Sequence, residues 1–227
     1  MVAEPTPTVW PRSRAATPTV VPLADSPAGY LIVKRIVDVV GALLALILLS
    51  PVMLLAAIAI KLESSGPVFF LQERMGGGGR RFRFLKFRSM CAQAVSLQTA
   101  IQGMNEVTGP VFKIRQDPRI TPVGRIIRRL SIDELPQLWH VLTGEMSLVG
   151  PRPPIPEEVA RYEPWMLERL SVTPGLTCIW QVSGRSDILF EDWVRLDIHY
   201  IRHRSVWLDL KILAQTIPAV ITGRGAY

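Results

Sequence analysis

The longest apolar run in the chain covers residues 36–60 and contains 15 leucine, isoleucine and valine residues. Each of these contributes about −0.3 to −0.6 kcal/mol to membrane insertion, so together they contribute roughly −4.5 to −9 kcal/mol. Asp38 opposes insertion by at most about 3 kcal/mol, and by less because it lies near one end of the run. The pattern therefore predicts a membrane helix rather than a helix buried in a soluble core.

The path of this helix through the bilayer is indicated by a proline and by the flanking charges. Ser50 and Pro51 lie near the middle of the run, and a proline there removes a backbone donor and predicts a kink. Lys34 and Arg35 precede the run, and Lys61 follows it. Because basic flanks favour the cytoplasmic side, both ends should lie on the same side. A re-entrant helix satisfies both features; a kinked helix that crosses the bilayer is the alternative.

The apolar run divides the chain into three predicted regions. Residues 1–29 contain six prolines and few large apolar side chains, which predicts a disordered leader. We expect residues 30–62 to form the membrane helix and residues 63–227 to form a membrane-associated domain, which the flanking basic residues place on the cytoplasmic side.

Residues 67–88 have the pattern of a β-hairpin. An apolar, β-prone stretch at 68–72 is followed by glycines at 76–79 and by alternating basic and aromatic residues at 81–84, as expected for a strand with two different faces. Such alternation also occurs in RNA-binding strands, but the glycines of that motif are missing, and we expect no nucleic acid as a partner. The glycines also lack the Lys-Ser/Thr ending of a P-loop. A strand at the lipid headgroups fits better.

The remaining elements follow from weaker patterns. We expect a polar-faced helix at residues 91–104, a strand at 111–115 and a short basic helix at 123–130. The apolar segment 207–221 suits either core packing or the membrane interface. The predicted fold is therefore α+β and mostly helical, with a small β-hairpin, interfacial amphipathic helices and an N-terminal membrane helix.

The charge balance restricts the partners of the chain. It has 26 lysine and arginine residues against 19 aspartate and glutamate residues, a formal net charge of +7. This suits an anionic partner such as a membrane leaflet, a nucleic acid or a phosphorylated substrate. Cys91 and Cys178 match neither a zinc spacing nor a disulfide framework.

The segment 131–137 carries the candidate chemistry. Pro136 is tolerated best in the first turn of a helix, so a helix should begin here and continue toward Leu142. Asp133 then lies near a helix N-terminus, which stabilises anions. Adjacent carboxylates beside Arg128 suit phosphoryl transfer. The alternatives are a solvated helix face and a capping box between Ser131 and Glu134.

Several motifs along the chain resemble, in order, those of one known family. From about Lys34 to Leu213 the sequence is similar to the bacterial sugar transferases, the monotopic polyprenol-phosphate phosphoglycosyl transferases that begin surface-glycan synthesis. The matching segments are KRIVD at 34–38, KFRSM at 86–90, DPRIT at 117–121, SIDELPQ at 131–137, GEMSLVGPRP at 144–153, TPGLT at 173–177, QVSGR at 181–185, and the Leu-Asp pairs at 196–197 and 208–209.

The resemblance implies a re-entrant helix broken at Ser50 and Pro51 and a catalytic dyad of Asp133 and Glu134. Asp133 would attack the β-phosphate of a UDP-sugar, release UMP and form a covalent phosphosugar enzyme. Polyprenol (undecaprenyl) phosphate would then accept the sugar phosphate. The resemblance also implies Mg²⁺ contacted by Asp133, while Glu134 would position or deprotonate the acceptor.

The same resemblance assigns phosphate binding to Arg128, Arg152 and Arg185, whose planar guanidinium groups suit that task. Two alternatives remain open: residues 151–154 form only a rigid loop, and residues 181–185 form an ordinary turn. For Asp197 and Asp209 we expect structural ion pairs or caps, and for His199 and His203 a surface pair. His140, Glu145 and Cys178 stand where the family commonly has asparagine, aspartate and glycine.

The resemblance places the chain at the bacterial inner membrane among lipids, with its catalytic domain on the cytoplasmic face. The alternative is an inactive relative that binds lipid phosphate or acts as a scaffold for glycan assembly. The sequence identifies neither the sugar nor the oligomeric state, so a homo-oligomer is left open.

Overall fold

The structure is a computed structural model that describes residues 21–107, 109–184, 188–223 and 225. Its described helices and strands, in chain order, are α1 (Ala28–Glu63), β1 (Phe69–Met75), β2 (Arg81–Phe87), α2 (Pro122–Arg129), α3 (Leu138–Thr143), β3 (Ser147–Val149), α4 (Pro156–Val159), β4 (Gly175–Thr177), α5 (Ile179–Ser183), α6 (Phe190–His203) and α7 (Val206–Thr222). Short 3₁₀ turns cover Gly77–Gly79, Gln102–Met104, Ile132–Gln137 and Pro164–Leu170. The mostly helical α+β fold is confirmed.

The predicted apolar helix is present as α1, which has 36 residues and continues through Pro51. Pro51 has no N–H to donate to the carbonyl of Ile47 four residues earlier. The hydroxyl of Ser50 donates to that carbonyl instead, at 2.8 Å, so the carbonyl of Ile47 still has a hydrogen-bond donor. Most apolar side chains of α1 are not covered by the domain, and by length and composition the helix is able to cross a membrane.

Both ends of α1 are attached to the same folded body. Near its start, Lys34 Nζ lies 3.0 Å from Asp209 Oδ2 on α7. At its end, Glu63 Oε1 accepts the backbone N–H of Val123 on α2 at 2.8 Å. These contacts agree with the same-side placement expected from the flanking charges. The re-entrant path itself stays a prediction.

The hairpin is confirmed. β1 and β2 pair antiparallel, with Phe69 opposite Phe87 and Met75 opposite Arg81, and the glycine-rich turn joins them. Gly78 has a φ of 69°, a conformation that favours glycine. β3 and β4 form a separate parallel pair. The main core lies between the hairpin, α1, α3 and the two short strands; its buried members include Ala42, Phe84, Leu138, Val141, Val149 and Ile212.

Two predicted elements are wrong. Residues 91–104 form successive turns rather than a helix. The N–H of Gln98 bonds to the carbonyl of Val95, and the carbonyl of Ala94, its helical partner, accepts from Arg119 Nη1 at 3.2 Å instead. Residues 111–115 are irregular rather than a strand. There the side chain of Asn105 occupies the backbone groups that a strand would pair: Oδ1 accepts the N–H of Lys113 at 2.9 Å, and Nδ2 donates to the carbonyl of Val111.

The helix at 123–130 is confirmed as α2. The apolar segment 207–221 forms most of the helix α7. Thr121 Oγ1 accepts the N–H of Gly124 and caps α2. α7 buries Ile212 but exposes Trp207 and Ile217, so it combines core packing with an exposed apolar face.

Part of the predicted leader is described and makes contacts. The N–H of Ala24 donates to the carbonyl of Ser171 at 2.7 Å, and Arg204 donates to the carbonyl of Ala24 at 2.7 Å. Residues 1–20 lie outside the described residues, so the disorder predicted for them and the domain boundaries remain predictions.

Candidate active site

Asp133 and Glu134 lie in the 3₁₀ turn that leads from α2 into α3. Ser131 precedes this turn with a φ of 54°. Among the residues that the structure describes, no other non-glycine residue has a positive φ, and such backbone strain commonly marks functional sites. The capping box between Ser131 and Glu134 is wrong, because the Ser131 side chain makes no cap hydrogen bond. The predicted start of a helix here is confirmed.

The Asp133 carboxylate is buried, with 6% of the residue exposed. Among the described residues it makes no hydrogen bond and no ion pair, so its oxygens are free to react. Burial, followed by the negative charge of Glu134, raises the pKa of Asp133 to about 6, against the opposing effects of Lys86 and Arg128. Asp133 is therefore largely ionised at neutral pH.

Glu134 has a different environment. Arg152 Nη1 donates to Glu134 Oε1 at 2.7 Å, and both side chains are largely buried. Burial opposes ionisation of Glu134, but Arg152, Lys86 and Arg74 more than offset it and hold the pKa of this carboxyl below its usual range. Glu134 is thus a permanent charge that fixes Arg152, whereas Asp133 stays free.

Positive side chains from separate elements surround the two carboxylates. α2 supplies Arg128 and the loop after β3 supplies Arg152, as predicted. Lys86 on β2 and Arg74 on β1 were not among the predicted site residues, although Lys86 opens one of the matched motifs. Burial, and then the charge of Arg128, lower the pKa of Lys86 to about 7. Side chains alternate between the two faces of a strand, so Lys86 lies on the same face of β2 as buried Phe84. This alternation could have identified Lys86 as a site residue.

The loop that carries Arg152 is held through its carbonyl groups. Three of the residues 149–154 are prolines and have no backbone donor, and the carbonyl groups of this loop accept from several separate parts of the fold. The donors are Lys34 Nζ and Tyr200 Oη to Val149, Gly175 N to Pro151, Arg169 Nη2 to Arg152, Arg74 Nη1 to Pro153, and Met75 N to Pro154. The loop is therefore rigid, and its rigidity fixes the position of Arg152. Phosphate binding by Arg152 stays a prediction.

A cavity of about 600 Å³ adjoins three of the four cations around the dyad, whereas Arg152, Asp133 and Glu134 do not line its wall. Its wall includes Arg74, Lys86 and Arg128, together with side chains from residues 91–104 and from α4. A concave volume of this size suits a small organic ligand, and the cationic part of the wall suits a phosphorylated one.

The other predicted residues fall away from the dyad or outside the described part of the chain. Arg185 lies outside the described residues. Asp197 forms a buried ion pair with Arg169 at 2.8 Å, and Asp209 pairs with Lys34, so both are structural as expected.

The three residues that differ from the family pattern make contacts within the domain. His140 Nδ1 lies 2.7 Å from Glu145 Oε2, so two of the departures contact each other. Cys178 is buried and its thiol donates to Gln181 Oε1 at 3.0 Å. His199 and His203 form the expected exposed pair, with stacked rings, and the described residues contain no group of three or more metal-binding side chains.

Comparison with known proteins agrees with this geometry. The family model described as bacterial sugar transferase matches residues 29–223. The chain is 44% identical over 199 residues to "Galactosyl transferase CpsE" of Streptococcus agalactiae, covering 87% of this chain and 44% of that protein. It is 40% identical over 198 residues to "Exopolysaccharide production protein ExoY" of Rhizobium meliloti, covering 86% of this chain and 88% of ExoY.

A third relative is "Undecaprenyl-phosphate galactose phosphotransferase" of Salmonella typhimurium, which is 38% identical over 198 residues. The match covers 86% of this chain and 41% of that protein. The chain therefore spans less than half the length of two of these relatives and most of the length of ExoY. The resemblance inferred from the motifs is confirmed: this chain belongs to the bacterial sugar transferase family.

Proposed function

We propose that the chain transfers a sugar 1-phosphate from a UDP-sugar to polyprenol phosphate and releases UMP, as the first membrane step of surface-polysaccharide synthesis. The observation that carries this proposal is the Asp133 carboxylate, which is buried and free of partners among the described residues, with cations around it. Curated relatives named for undecaprenyl-phosphate galactose and glucose phosphotransferase activity support the lipid acceptor.

The first step is a displacement at phosphorus. One Asp133 oxygen attacks the β-phosphorus of the UDP-sugar, a bond forms between them, and the bond from that phosphorus to the oxygen bridging the two phosphates breaks. UMP leaves with the electron pair. Arg128, Lys86 and the Arg152 fixed by Glu134 offset the negative charge on the transferring group, which is the main catalytic requirement in phosphoryl transfer.

The second step regenerates the carboxylate. A phosphate oxygen of the polyprenol phosphate attacks the same phosphorus, and the bond to Asp133 breaks. The product is a polyprenol-diphosphate sugar. No net proton transfer is required, so the Glu134 that binds Arg152 acts by positioning rather than as a base in this scheme.

The site also fits the Mg²⁺ that the family resemblance implies. Mg²⁺ in phosphoryl-transfer sites is usually held by one or two carboxylates together with substrate phosphates and water, and the free carboxylate of Asp133 meets that requirement. Bound there, Mg²⁺ would supply positive charge to the diphosphate.

The membrane placement supports the lipid acceptor. α1 exposes a continuous apolar surface, and Ile126 on α2, Trp139 on α3 and Trp207 on α7 are also exposed. Helices with such faces suit the membrane interface. We place the domain on the cytoplasmic face of the inner membrane, where the sugar nucleotide is soluble and the lipid phosphate is at headgroup depth.

The proposal is tested by UMP release from a panel of UDP-sugars, with polyprenol phosphate and Mg²⁺, in nanodiscs. Asp133→Asn should abolish release and prevent retention of a radiolabelled sugar phosphate on the protein, whereas Asp192→Asn, an exposed acidic residue of α6, should leave both intact. Full turnover by Asp133→Asn would refute the nucleophile. No UMP release by the wild type with any UDP-sugar would favour the inactive scaffold.

A further inference from the structure

The outer edge of β2 has a donor that the hairpin does not use. In an antiparallel pair only alternate residues exchange N–H···O bonds. Arg88 is such a residue, because its N–H donates to the carbonyl of Val68 at 2.8 Å, and Lys86 follows by the same alternation. Leu85 therefore directs its N–H away from β1. His140 Nε2 accepts this N–H at 3.1 Å.

The second nitrogen of His140 fixes the ring. Because Nε2 accepts, Nδ1 carries the proton, and it donates to Glu145 Oε2 at 2.7 Å. The ring lies parallel to Phe84, with centroids 6.5 Å apart, and meets Phe82 edge-on at 5.4 Å. The imidazole is thus held by one hydrogen bond on each side and by two aromatic rings of β2.

The bonded strand residue lies directly before a site residue. Lys86 follows Leu85, its Nζ lies 5.3 Å from the Phe70 ring centroid, and it forms part of the cavity wall beside Arg128. Any shift of the β2 backbone at Leu85 moves the Lys86 side chain relative to Asp133. The α3–β2 contact is therefore placed to control the geometry of the site.

We propose that His140, oriented by Glu145, is a positioning residue that sets Lys86 in the active site by accepting the backbone N–H of Leu85. This inference rests on the proposed function, because Lys86 is expected to act on the substrate phosphates. The His140 side chain contacts Leu85, Phe82 and Phe84 of β2 and Glu145, so its effect on catalysis is transmitted through β2.

Two amide substitutions separate the two hydrogen bonds of His140. Asparagine reaches only the position of Nδ1, so His140→Asn retains the donor to Glu145 and loses the acceptor for Leu85. Glutamine reaches the position of Nε2, so His140→Gln retains that acceptor. The family commonly has asparagine at this position together with aspartate at the position of Glu145. In this chain, which has Glu145, we expect His140→Asn to lower kcat for UMP release about tenfold and His140→Gln to retain more than about a third of the wild-type rate.

The deciding measurement is a double-mutant cycle with Lys86→Met. If His140 acts through Lys86, His140→Asn should change kcat by less than about twofold once Lys86 is absent. The same cycle is measured on UMP affinity by calorimetry, which requires no turnover. Equal effects of His140→Asn in both backgrounds, or no effect in the wild type, would overturn the proposal.

Controls separate positioning from folding. His203→Asn removes an exposed imidazole of α6 and should leave kcat, KM and the thermal midpoint unchanged. If His140→Asn does not fold, Glu145→Ala provides the second test: it should lower kcat in the wild-type background and not in Lys86→Met. A wild type that binds UMP but releases none from a UDP-sugar would count against the proposed function, and the affinity cycle would still decide the role of His140.

Discussion

Asp133 and Glu134 are adjacent in the chain, yet their surroundings move their pKa values in opposite directions. Glu134 is bonded to Arg152 and stays charged, whereas Asp133 is buried without a partner of its own among the described residues. Two titratable groups separated in this way usually have different roles. Here the division matches an anchor for Arg152 and a free nucleophile.

The raised pKa of Asp133 predicts a stability cost. A carboxyl whose folded-state pKa lies above its unfolded value stabilises the fold at low pH and loses that contribution as pH rises through about 6. Asp133→Asn removes this cost, so we expect it to raise the thermal midpoint at about pH 8 by about 2–5 °C while abolishing activity. At about pH 4 the gain should vanish. A lower midpoint at pH 8, measured by scanning fluorimetry, would contradict this assignment.

The same electrostatics predict a shift in the pH–rate profile. The charge of Glu134 raises the pKa of Asp133, so Glu134→Gln should move the acid limb of UMP release to lower pH. Arg152 lowers the pKa of Asp133, so Arg152→Gln should move the limb to higher pH. Both variants should also be slower, because Glu134→Gln removes the charge that holds Arg152 in place and Arg152→Gln removes the guanidinium itself. A shift of the acid limb in the same direction in both variants would contradict these electrostatic effects on Asp133.

At the scale of elements, the position of Arg128 depends on how closely α2 approaches the end of β2. A Cβ atom at Gly124 would lie 2.0 Å from the carbonyl oxygen of Ser89. Gly124→Ala should therefore displace α2, lower the free energy of unfolding by about 1–3 kcal/mol and reduce activity through Arg128. Gly103→Ala is the matched control, since nothing lies within 4 Å of its Cβ position. Denaturant unfolding of both variants tests this.

Elements with strong local patterns could be predicted from the sequence. The apolar run, the hairpin with its glycine turn, and the helix α2 follow from periodicity and composition. The segments 91–104 and 111–115 could not, because side chains of Arg119 and Asn105 bond their backbone groups, and single side-chain bonds of this kind leave no periodic pattern in the sequence. This is a tertiary override of weak propensity.

The candidate site was predictable to a similar extent. Asp133, Glu134 and Arg152 came from matched motifs, and Arg128 came from the charge pattern beside the dyad together with the family resemblance. The structure brings the four residues together. Lys86 was missed as a site residue because a lysine on a basic strand is usually solvated. Its burial beside Arg128 results from packing of β2 against the turn that carries the dyad.

At the scale of the whole molecule, both ends of α1 are bound to one domain, which predicts where they lie relative to the bilayer. In a chain with Cys91→Ser as background, Leu31→Cys and Leu62→Cys, at exposed positions near the two ends, should both react with a membrane-impermeant thiol reagent from the cytoplasmic side. Labelling of the two positions from opposite sides would show that α1 crosses the bilayer. Buried Cys178 should stay unlabelled and serves as the internal control.

The hydrogen bonds to the carbonyl groups of residues 149–154 also affect how the protein loses activity on heating and where its sugar preference can change. Because their donors belong to α1, α6, both strand pairs and the turn at Pro164–Leu170, Arg152 cannot loosen while the rest of the domain stays intact. Heat inactivation should coincide with global melting. Substitutions that change the sugar preference should instead fall in segment 91–104, which forms turns and where a substitution disturbs few contacts.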